Sequence, residues 1–310
     1  MTYLKLTAMA ILWGGTFVSG RLLAGHVEPL AAAFLRFSIA SVCLLVLAYF
    51  FEGGLPRLTA RQFAGVILLG TTGVFLYNIF FFRALESLPA ARAAAVIAMN
   101  PTLIAVFSWL LLHEALGRIR ILGILLSLFG ALIVIAHGDP AALASGFPAG
   151  FLDILACLFS WVAYSLIGRQ LMSGLSPMAS VTYSSIVGCL MLSVPALYNG
   201  LLEHIHAYTA VDWANLTYLG AAATALGLVW YYQGIKRVGA MRASIFINIV
   251  PVSALITAHI ALGERIDGSL LLGGSMVVLG VYLTNLGLNF PIRILRARIN
   301  TGTDFSESAD

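Results

Sequence analysis

The chain has 310 residues, of which 60% are hydrophobic and only 10% are charged, whereas soluble domains carry about 25% charged residues. This composition excludes a soluble globular protein and makes the lipid bilayer the solvent for most of the chain. The net charge of +4 is spread singly between apolar runs, so it indicates membrane topology rather than a nucleic-acid partner.

Ten apolar stretches follow one another along the chain, and each is long enough to cross a bilayer as an α-helix. Turn residues and charges between them predict spans at residues 3–24, 29–50, 60–82, 91–112, 119–136, 148–168, 176–197, 213–234, 239–261 and 269–289. A membrane β-barrel needs alternating segments of about 10 residues instead. The pattern therefore predicts an all-α integral membrane protein.

The basic residues predict the orientation, because cytoplasmic loops are enriched in Lys and Arg. With both termini in the cytoplasm, twelve of the seventeen basic residues fall on the cytoplasmic side, and so does the tail at residues 291–310. Arg36 lies within the second span. We expect its side chain to reach outward or to pair with a carboxylate such as Glu28, with a cavity-facing position as the alternative. In the expected arrangement the centre of the bundle lacks a fixed strong charge.

The sequence also repeats itself after a constant shift of about 150 residues. The matching pairs are Ala90/Ala240, Arg92/Arg242, Ala93/Ala243, Ile97/Ile247, Pro101/Pro251, Glu114/Glu264, Gly123/Gly273 and Gly130/Gly280. A shift of 148 pairs Trp13 with Trp161. Because each unit holds an odd number of spans, the second unit must be inverted. We therefore predict two inverted five-helix repeats around a central cavity, at residues 1–140 and 141–290.

Three motifs carry a resemblance to a known family. They are Trp13-Gly-Gly-Thr-Phe17, the block from Pro101 to Glu114, and its echo from Pro251 to Glu264. In this order and duplication the chain resembles the drug/metabolite transporter superfamily with EamA-type repeats, over residues 3–289, and within it the YddG-type bacterial amino-acid exporters. The resemblance implies a central cavity lined by the first, third, fourth, sixth, eighth and ninth helices, and a place in the bacterial inner membrane.

Aromatic and polar side chains inside the spans are the candidates for substrate binding. Trp13 and Trp161 lie away from the membrane interfaces, so they either pack in the core or line a cavity suited to small amphipathic solutes. Asn100 and Asn248 either bond another helix or contact the substrate. The cavity candidates are Trp13, Phe17, Tyr77, Asn78, Met99, Asn100, Trp161, Tyr164, Trp230, Tyr231, Ser244 and Asn248.

Four further residues are interpreted as structural or gating residues. Pro101 and Pro251 lie near the middles of the fourth and ninth spans, where each removes a helix hydrogen bond and permits a kink. Glu114 and Glu264 each precede a new span by a few residues. We expect these carboxylates to accept hydrogen bonds from free N–H groups of the following helix, with proton coupling as the alternative.

Motifs of membrane enzymes are missing, including HExxH, G-x-S-x-G and the P-loop. The three cysteines lie in apolar spans and the six histidines are dispersed, so we expect no catalytic residue, metal or cofactor. We predict a secondary transporter that exports small metabolites, foremost neutral or aromatic amino acids, by alternating access. A drug or nucleotide-sugar-like carrier is the alternative, followed by a membrane enzyme. We expect a monomer, with a homodimer as the alternative.

Overall fold

The computed structural model describes residues 1–112, 117–139, 149–171, 174–238 and 245–286, and the regular structure in these ranges is helical. The first helices are α1 Thr2–Leu23, α2 Pro29–Glu52, α3 Ala60–Leu69, α4 Tyr77–Ser87, α5 Ala90–Ile97, α6 Asn100–Leu112 and α7 Arg118–Ile135. The later helices are α8 Phe151–Leu171, α9 Pro177–Tyr198, α10 Leu201–His204, α11 Ala210–Thr217, α12 Gly227–Val238, α13 Ile249–Leu262 and α14 Gly268–Leu286. Two π-helical segments, Gly70–Leu76 and Tyr218–Leu226, join α3 to α4 and α11 to α12.

Eight helical stretches in the described ranges are long and apolar enough to cross a membrane. They are Thr2–Leu23, Pro29–Glu52, Ala60–Ser87, Ala90–Leu111, Arg118–Ile135, Phe151–Gly168, Pro177–Tyr198 and Gly268–Asn285. A further apolar helix, Phe246–Leu262, is shorter, and the contiguous α11, π segment and α12 cover the predicted eighth span. The prediction of an all-helical membrane protein is thereby confirmed. The count of ten spans and the inversion of the halves stay predictions.

The two prolines of the predicted fourth and ninth spans each follow a break in the helix. α5 ends at Ile97 and α6 begins at Asn100, which places Pro101 in the first turn of α6. Pro251 likewise lies in the first turn of α13, directly after a 3₁₀ turn at Ile245–Asn248. The N–H that proline lacks has no helical partner in a first turn. The interruption that these prolines predict therefore takes the form of a new helix start.

α7 and α14 pack against each other through matched glycines. A Cβ added to Gly123 would lie 2.6 Å from the Gly280 carbonyl oxygen, and one added to Gly130 would lie 2.5 Å from the Gly273 carbonyl oxygen. Only glycine lets two helix backbones come this close. The repeat-related glycines are therefore the points at which α7 and α14 pack closely.

The Trp13-to-Phe17 motif explains why α1 sits between other helices. A Cβ added to Gly14 would lie 1.8 Å from the Ser253 hydroxyl of α13, and one added to Gly15 would lie 2.3 Å from the Tyr218 hydroxyl. Those two hydroxyls donate hydrogen bonds to backbone carbonyls of α1, from Ser253 to Ala10 at 3.1 Å and from Tyr218 to Leu12 at 2.7 Å. The glycines thus bring polar groups of the second half of the chain onto the backbone of α1.

Candidate functional site

A cavity of about 580 Å³ lies in the middle of the helical bundle. This volume falls in the range that proteins use for small-molecule ligands, roughly 300 to 1,000 Å³. The structure brings most of the predicted candidates to its wall, namely Trp13, Phe17, Tyr77, Asn78, Asn100, Trp161, Tyr164, Tyr231 and Asn248, together with Pro101 and Pro251. Whether these residues bind a substrate stays a prediction.

Two candidates among the described residues, Met99 and Trp230, are not at the cavity wall. Met99 is buried in a separate apolar cluster with Val277 and Val281 of α14. Trp230 packs instead against the cluster formed by Leu6, Met9 and Ala10 of α1. Met99 lies in the turn between α5 and α6, and Trp230 lies on α12 next to the lining residue Tyr231. Ser244 lies outside the described residues.

Aromatic rings from both halves of the chain form two groups on the cavity wall. The ring of Trp161 has its centroid 5.1 Å from that of Tyr77 and 5.3 Å from that of Tyr164. Trp13 pairs with Tyr231 at 5.6 Å, and its indole N–H donates to the Ala223 carbonyl at 2.9 Å. These tilted pairs fall in the distance range of favourable ring contacts. The wall therefore offers fixed aromatic faces for an apolar side chain or for an ammonium group.

Arg36 also faces the cavity, which corrects the expectation that it would reach outward or pair with Glu28. Its Nη1 donates to the Asn78 Oδ1 at 3.0 Å, and its Nε and Nη2 donate to the Thr224 hydroxyl oxygen at 3.3 Å. Glu28 instead accepts a hydrogen bond from the Ala31 N–H at 2.9 Å as the N-cap of α2. Glu28 therefore bonds its own helix, whereas the hydrogen bonds of Arg36 lie in the centre of the bundle.

One partner of Arg36, Thr224, lies in the second π-helical segment, and the other, Asn78, lies two residues after the first. The Asn78 amide donates to the Val74 carbonyl at 2.8 Å, and the Thr224 hydroxyl donates to the Leu219 carbonyl at 2.7 Å. Such bonds occupy carbonyls at places where the regular hydrogen-bond ladder of a helix changes. The oxygens of Asn78 and Thr224 remain as acceptors for the guanidinium. The site is thus built on two local irregularities of the helices.

The charge of the cavity wall differs from the expectation of a neutral centre. Arg36 and Arg120 both line the cavity, and the described lining contains no Asp or Glu. Arg120 comes from the first turn of α7 and is buried. Arg36 has no carboxylate near it in the described wall, so the part of the cavity around it favours anionic over cationic groups of a ligand.

The cavity reaches toward one end of the bundle only. The other end, which we call the Ala90 end, contains Arg21, the segment from Leu85 to Arg92, and the segment from Glu264 to Asp267, held together by hydrogen bonds between them. On α6 and α14 the lining residues lie at Asn100 to Ser108 and at Val278 to Asn285, remote from the Ala90 end. The cavity therefore extends from the middle of the bundle away from the Ala90 end.

Glu264 joins α13 to the start of α5. Its two carboxylate oxygens accept hydrogen bonds from the N–H groups of Ala90 at 2.7 Å and Ala91 at 3.0 Å. The sequence predicted that this carboxylate would accept from N–H groups of the following helix. That prediction was wrong about the helix, because the donors belong to α5. The following helix, α14, is capped by Asp267, whose Oδ1 accepts from the Leu270 N–H at 2.8 Å. Glu114 lies outside the described residues.

Arg92 also connects helices at the Ala90 end. Its guanidinium donates to the Val134 carbonyl and forms an ion pair with Asp267. Asp267 also accepts a hydrogen bond from the Ser269 hydroxyl at 2.7 Å. This hydrogen bond, followed by that from Leu270 and the charge of Arg92, lowers the pKa of the Asp267 carboxyl below its ordinary value. The carboxyl is therefore ionised at neutral pH, and the ion pair holds α5, α7 and α14 together.

Sequence reasoning missed part of the cavity wall, including Arg36, Arg120 and Thr224. Arg36 was assigned to another environment, Arg120 was counted only as a topology determinant, and Thr224 was not singled out. The available signal was the presence of Asn78 and Thr224 as polar residues within otherwise apolar stretches. A polar side chain at that depth needs a partner, and Arg36 is the group in the described chain that both of them meet.

Comparisons with known proteins agree with this architecture. The family model described as "EamA-like transporter family" matches residues 1–136 and 148–286. The chain is similar to the uncharacterized transporter YyaM of Bacillus subtilis, with 27% identity over 93% of this chain and 95% of the relative. One solved crystal structure shares the fold with a TM-score of 0.63 and 21% identity, covering 92% of this chain and 97% of that one.

Two further relatives carry more specific names. A protein of Escherichia coli K12 named "Probable amino-acid metabolite efflux pump" is 26% identical, over 91% of this chain and 94% of its own length. A protein of Streptantibioticus cattleyicolor named "Probable terminal-alkyne amino-acid exporter" is 24% identical, over 90% of this chain and 92% of its own length. These names describe the relatives.

Proposed function

Because the chain belongs to the EamA-like transporter family, it is a membrane transporter, and we propose that it exports amino acids or closely related small metabolites across the bacterial inner membrane. The observation that carries the proposal is the 580 Å³ cavity with aromatic walls in the middle of a membrane-spanning bundle. A closed hydrophobic core would leave no room for a solute, whereas this cavity has the size and the mixed lining of a ligand site.

The substrate class follows from the combination of groups on the wall. Trp13, Trp161 and their tyrosine neighbours provide apolar faces, whereas Asn78, Asn100 and Asn248 provide amide groups. An amino acid has an apolar or aromatic side chain and a strongly polar end, so it matches both parts. The names of the relatives from Escherichia coli and Streptantibioticus cattleyicolor support the same class. A nucleotide-sugar-like metabolite is the second candidate.

We further propose that ten helices form two inverted repeats and that the cavity opens to either side in turn. Support comes from features that occur once in each half: a helix break before Pro101 and before Pro251, and a π-helical segment at Gly70–Leu76 and at Tyr218–Leu226. Inverted halves with interrupted helices at the middle of the membrane suit alternating access. We propose that both termini lie in the cytoplasm, as the distribution of basic residues favours, and the cavity then reaches toward the cytoplasmic end of the bundle.

The test is counterflow into proteoliposomes that contain the purified protein. Vesicles preloaded with single amino acids, with UDP-glucose or with a cationic drug are offered the same compound in labelled form. We expect uptake with at least one neutral or aromatic amino acid. Exchange of UDP-glucose alone would establish the second candidate, and exchange of no amino acid would overturn the proposed class.

A substitution at Trp161 links the transport to the cavity. Trp161→Ala removes the ring that contacts both Tyr77 and Tyr164, and we expect the transport efficiency to fall about tenfold. Phe159→Ala is the matched control, because this ring lies on the same helix with an exposed outer surface. Equal transport by both variants at equal protein content would place Trp161 outside the transport site.

A further inference from the structure

Arg36 is held between the two halves of the chain. Asn78 comes from α4 in the first half and Thr224 from the π segment in the second half, and both accept hydrogen bonds from the guanidinium. The rings of Phe37 and Phe81 lie 5.4 and 6.0 Å from the guanidinium carbon. This environment fixes the side chain in place through neutral groups, and it leaves the positive charge without a counter-charge among these contacts.

The described part of the cavity offers no carboxylate to neutralise that charge. The ion pairs of the described residues join Arg83 to Asp153 and Arg92 to Asp267, and neither involves Arg36. A guanidinium has five N–H groups in a planar fork. The hydrogen bonds to Asn78 and Thr224 use one N–H each of Nε, Nη1 and Nη2. Nη1 and Nη2 carry two N–H groups each, so each of them has a second N–H for a ligand. Two such donors match the two oxygens of a carboxylate.

We propose that Arg36 binds the carboxylate of the transported solute and that the site therefore selects carboxylates over amines of the same shape. The proposal rests on the function proposed above and deepens it by assigning one end of the substrate. A buried charge without a counter-ion is unfavourable on its own, and an incoming carboxylate supplies the missing partner. The apolar side chain of the solute then lies against the aromatic wall, and Asn78 and Thr224 act as positioning residues for Arg36.

Binding of a carboxylate to Arg36 would also link the two halves of the chain. Because Arg36 contacts α4 and the second π segment at once, a carboxylate that bonds its fork draws on groups from both halves. Binding energy is then available to change how the halves meet, as a carrier requires. A purely cationic solute would meet the positive charge of Arg36 in the described wall and would be repelled.

The experiment compares ligands that differ only at the carboxylate. L-Phenylalanine, 3-phenylpropionate and phenethylamine share a phenyl group and a two-carbon chain; the second lacks the ammonium and the third lacks the carboxylate. Leucine and isopentylamine give a second pair. Binding is measured in detergent by the ligand-induced rise of the unfolding temperature and by titration calorimetry. We expect the carboxylates of at least one side-chain series to bind and its amine to bind at least tenfold more weakly.

Variants of Arg36 then test the residue itself. Arg36→Gln is expected to weaken the binding of the carboxylate roughly 10- to 100-fold while leaving or improving that of the amine. Arg36→Lys keeps the charge but not the planar fork, so its affinity should fall between the two. Arg83→Gln is the matched control, because Arg83 is 55% exposed and lies outside the cavity wall. Retained amine binding by Arg36→Gln shows that the variant is folded.

The outcomes separate this proposal from the proposed function. Carboxylate-selective binding that depends on Arg36, together with no counterflow of any amino acid, would support the anchor and overturn the export of amino acids. Counterflow of an amino acid that is equally efficient in Arg36→Gln would support the proposed function and overturn the anchor. Equal binding of carboxylates and amines, or no binding of any carboxylate tested, would also overturn the anchor.

Discussion

Arg36 in the middle of the bundle and Arg92 at the Ala90 end carry the same charge, but the structure surrounds them differently. Arg92 meets a carboxylate and a backbone carbonyl, from Asp267 and Val134. Arg36 meets an amide oxygen and a hydroxyl oxygen, from Asn78 and Thr224. The comparison teaches that a buried charge neutralised within the fold belongs to the scaffold, whereas a buried charge that lacks a described counter-ion and faces a cavity marks a place for a ligand.

The largest expected effect is on stability, and it should differ between the two arginines. Arg92→Met is expected to lower the free energy of unfolding by roughly 2–4 kcal/mol, because Asp267 and the Val134 carbonyl lose their donor. Arg36→Met is expected to lower that free energy less, because the Asn78 oxygen loses its donor but a buried charge without a counter-ion among its contacts is removed as well. Unfolding by SDS in mixed micelles, followed by circular dichroism, measures both.

The control for this pair is Arg83→Met, since the Arg83–Asp153 pair is partly exposed and exposed ion pairs contribute only about 0–1 kcal/mol. Equal losses for the Arg36 and Arg92 variants would break the comparison, because both arginines would then serve the scaffold. A loss of stability in Arg36→Met alone would mean that Arg36, and not Arg92, belongs to the scaffold.

Glu264 should give the next largest effect. Glu264→Ala removes both acceptors from the Ala90 and Ala91 N–H groups, and we expect a loss of roughly 1–2 kcal/mol. Glu264→Gln keeps one oxygen acceptor and should lose less. Glu86→Ala is the control at the same end of the bundle, because its side chain is exposed. Unchanged stability of Glu264→Ala would mean that solvent replaces the carboxylate, and the Ala90 end would then be less rigid than the comparison requires.

The sequence predicted the helices well because the signals for them are local. The second span was expected at residues 29–50 and is observed at Pro29–Glu52, since an apolar run, a proline at its start and a glycine at its end decide these bounds. The aromatic wall was predicted for a similar reason, because Trp13 and Trp161 are deep in apolar stretches and related by the repeat.

The partners of charged residues could not be predicted in the same way. Arg36 bonds residues that are 42 and 188 positions away in the chain, and Glu264 caps a helix that begins 174 positions earlier. Which face of a helix meets which neighbour depends on tertiary packing, and hydropathy carries no information about it. Met99 and Trp230 were assigned to the cavity for that reason, although Met99 packs with Val277 and Trp230 packs against Leu6, Met9 and Ala10.

A smaller effect should follow from a change that leaves the charge of Arg36 in place. Thr224→Val removes the hydroxyl that accepts from Nε and Nη2 but keeps the shape of the side chain. We expect carboxylate affinity to fall roughly three- to tenfold, less than for Arg36→Gln, with amine affinity unchanged. Thr71→Val is the matched control, because Thr71 lies in the other π segment and its hydroxyl bonds Ile67 and Met191 outside the cavity wall. Equal losses of affinity for the carboxylate and the amine would contradict a positioning role.

The smallest expected effect is the pH dependence that Asp267 gives to the Ala90 end. The pKa of this carboxyl is lowered in the folded protein, first by the Ser269 hydroxyl and then by Leu270 and Arg92. The unfolded chain therefore binds its proton more readily, so the stability that Asp267 contributes is complete above its ordinary pKa of about 3.9 and is lost as the pH falls through the lowered value. Because the side chain is 45% exposed, we expect this contribution to be under about 1 kcal/mol.

Unfolding measured between pH 2 and pH 7 tests this pH dependence. Ser269→Ala removes the first cause of the lowered pKa, so its loss of stability in acid should be smaller and should end at higher pH than in the unchanged protein. Asp267→Asn should be less stable at pH 7 and should show a flatter profile, because the titrating group is gone while Arg92 stays buried. Identical profiles for the unchanged protein and Asp267→Asn would show that Asp267 does not neutralise Arg92. The two arginines would then differ only in position, and the contrast on which the anchor role of Arg36 rests would be weaker.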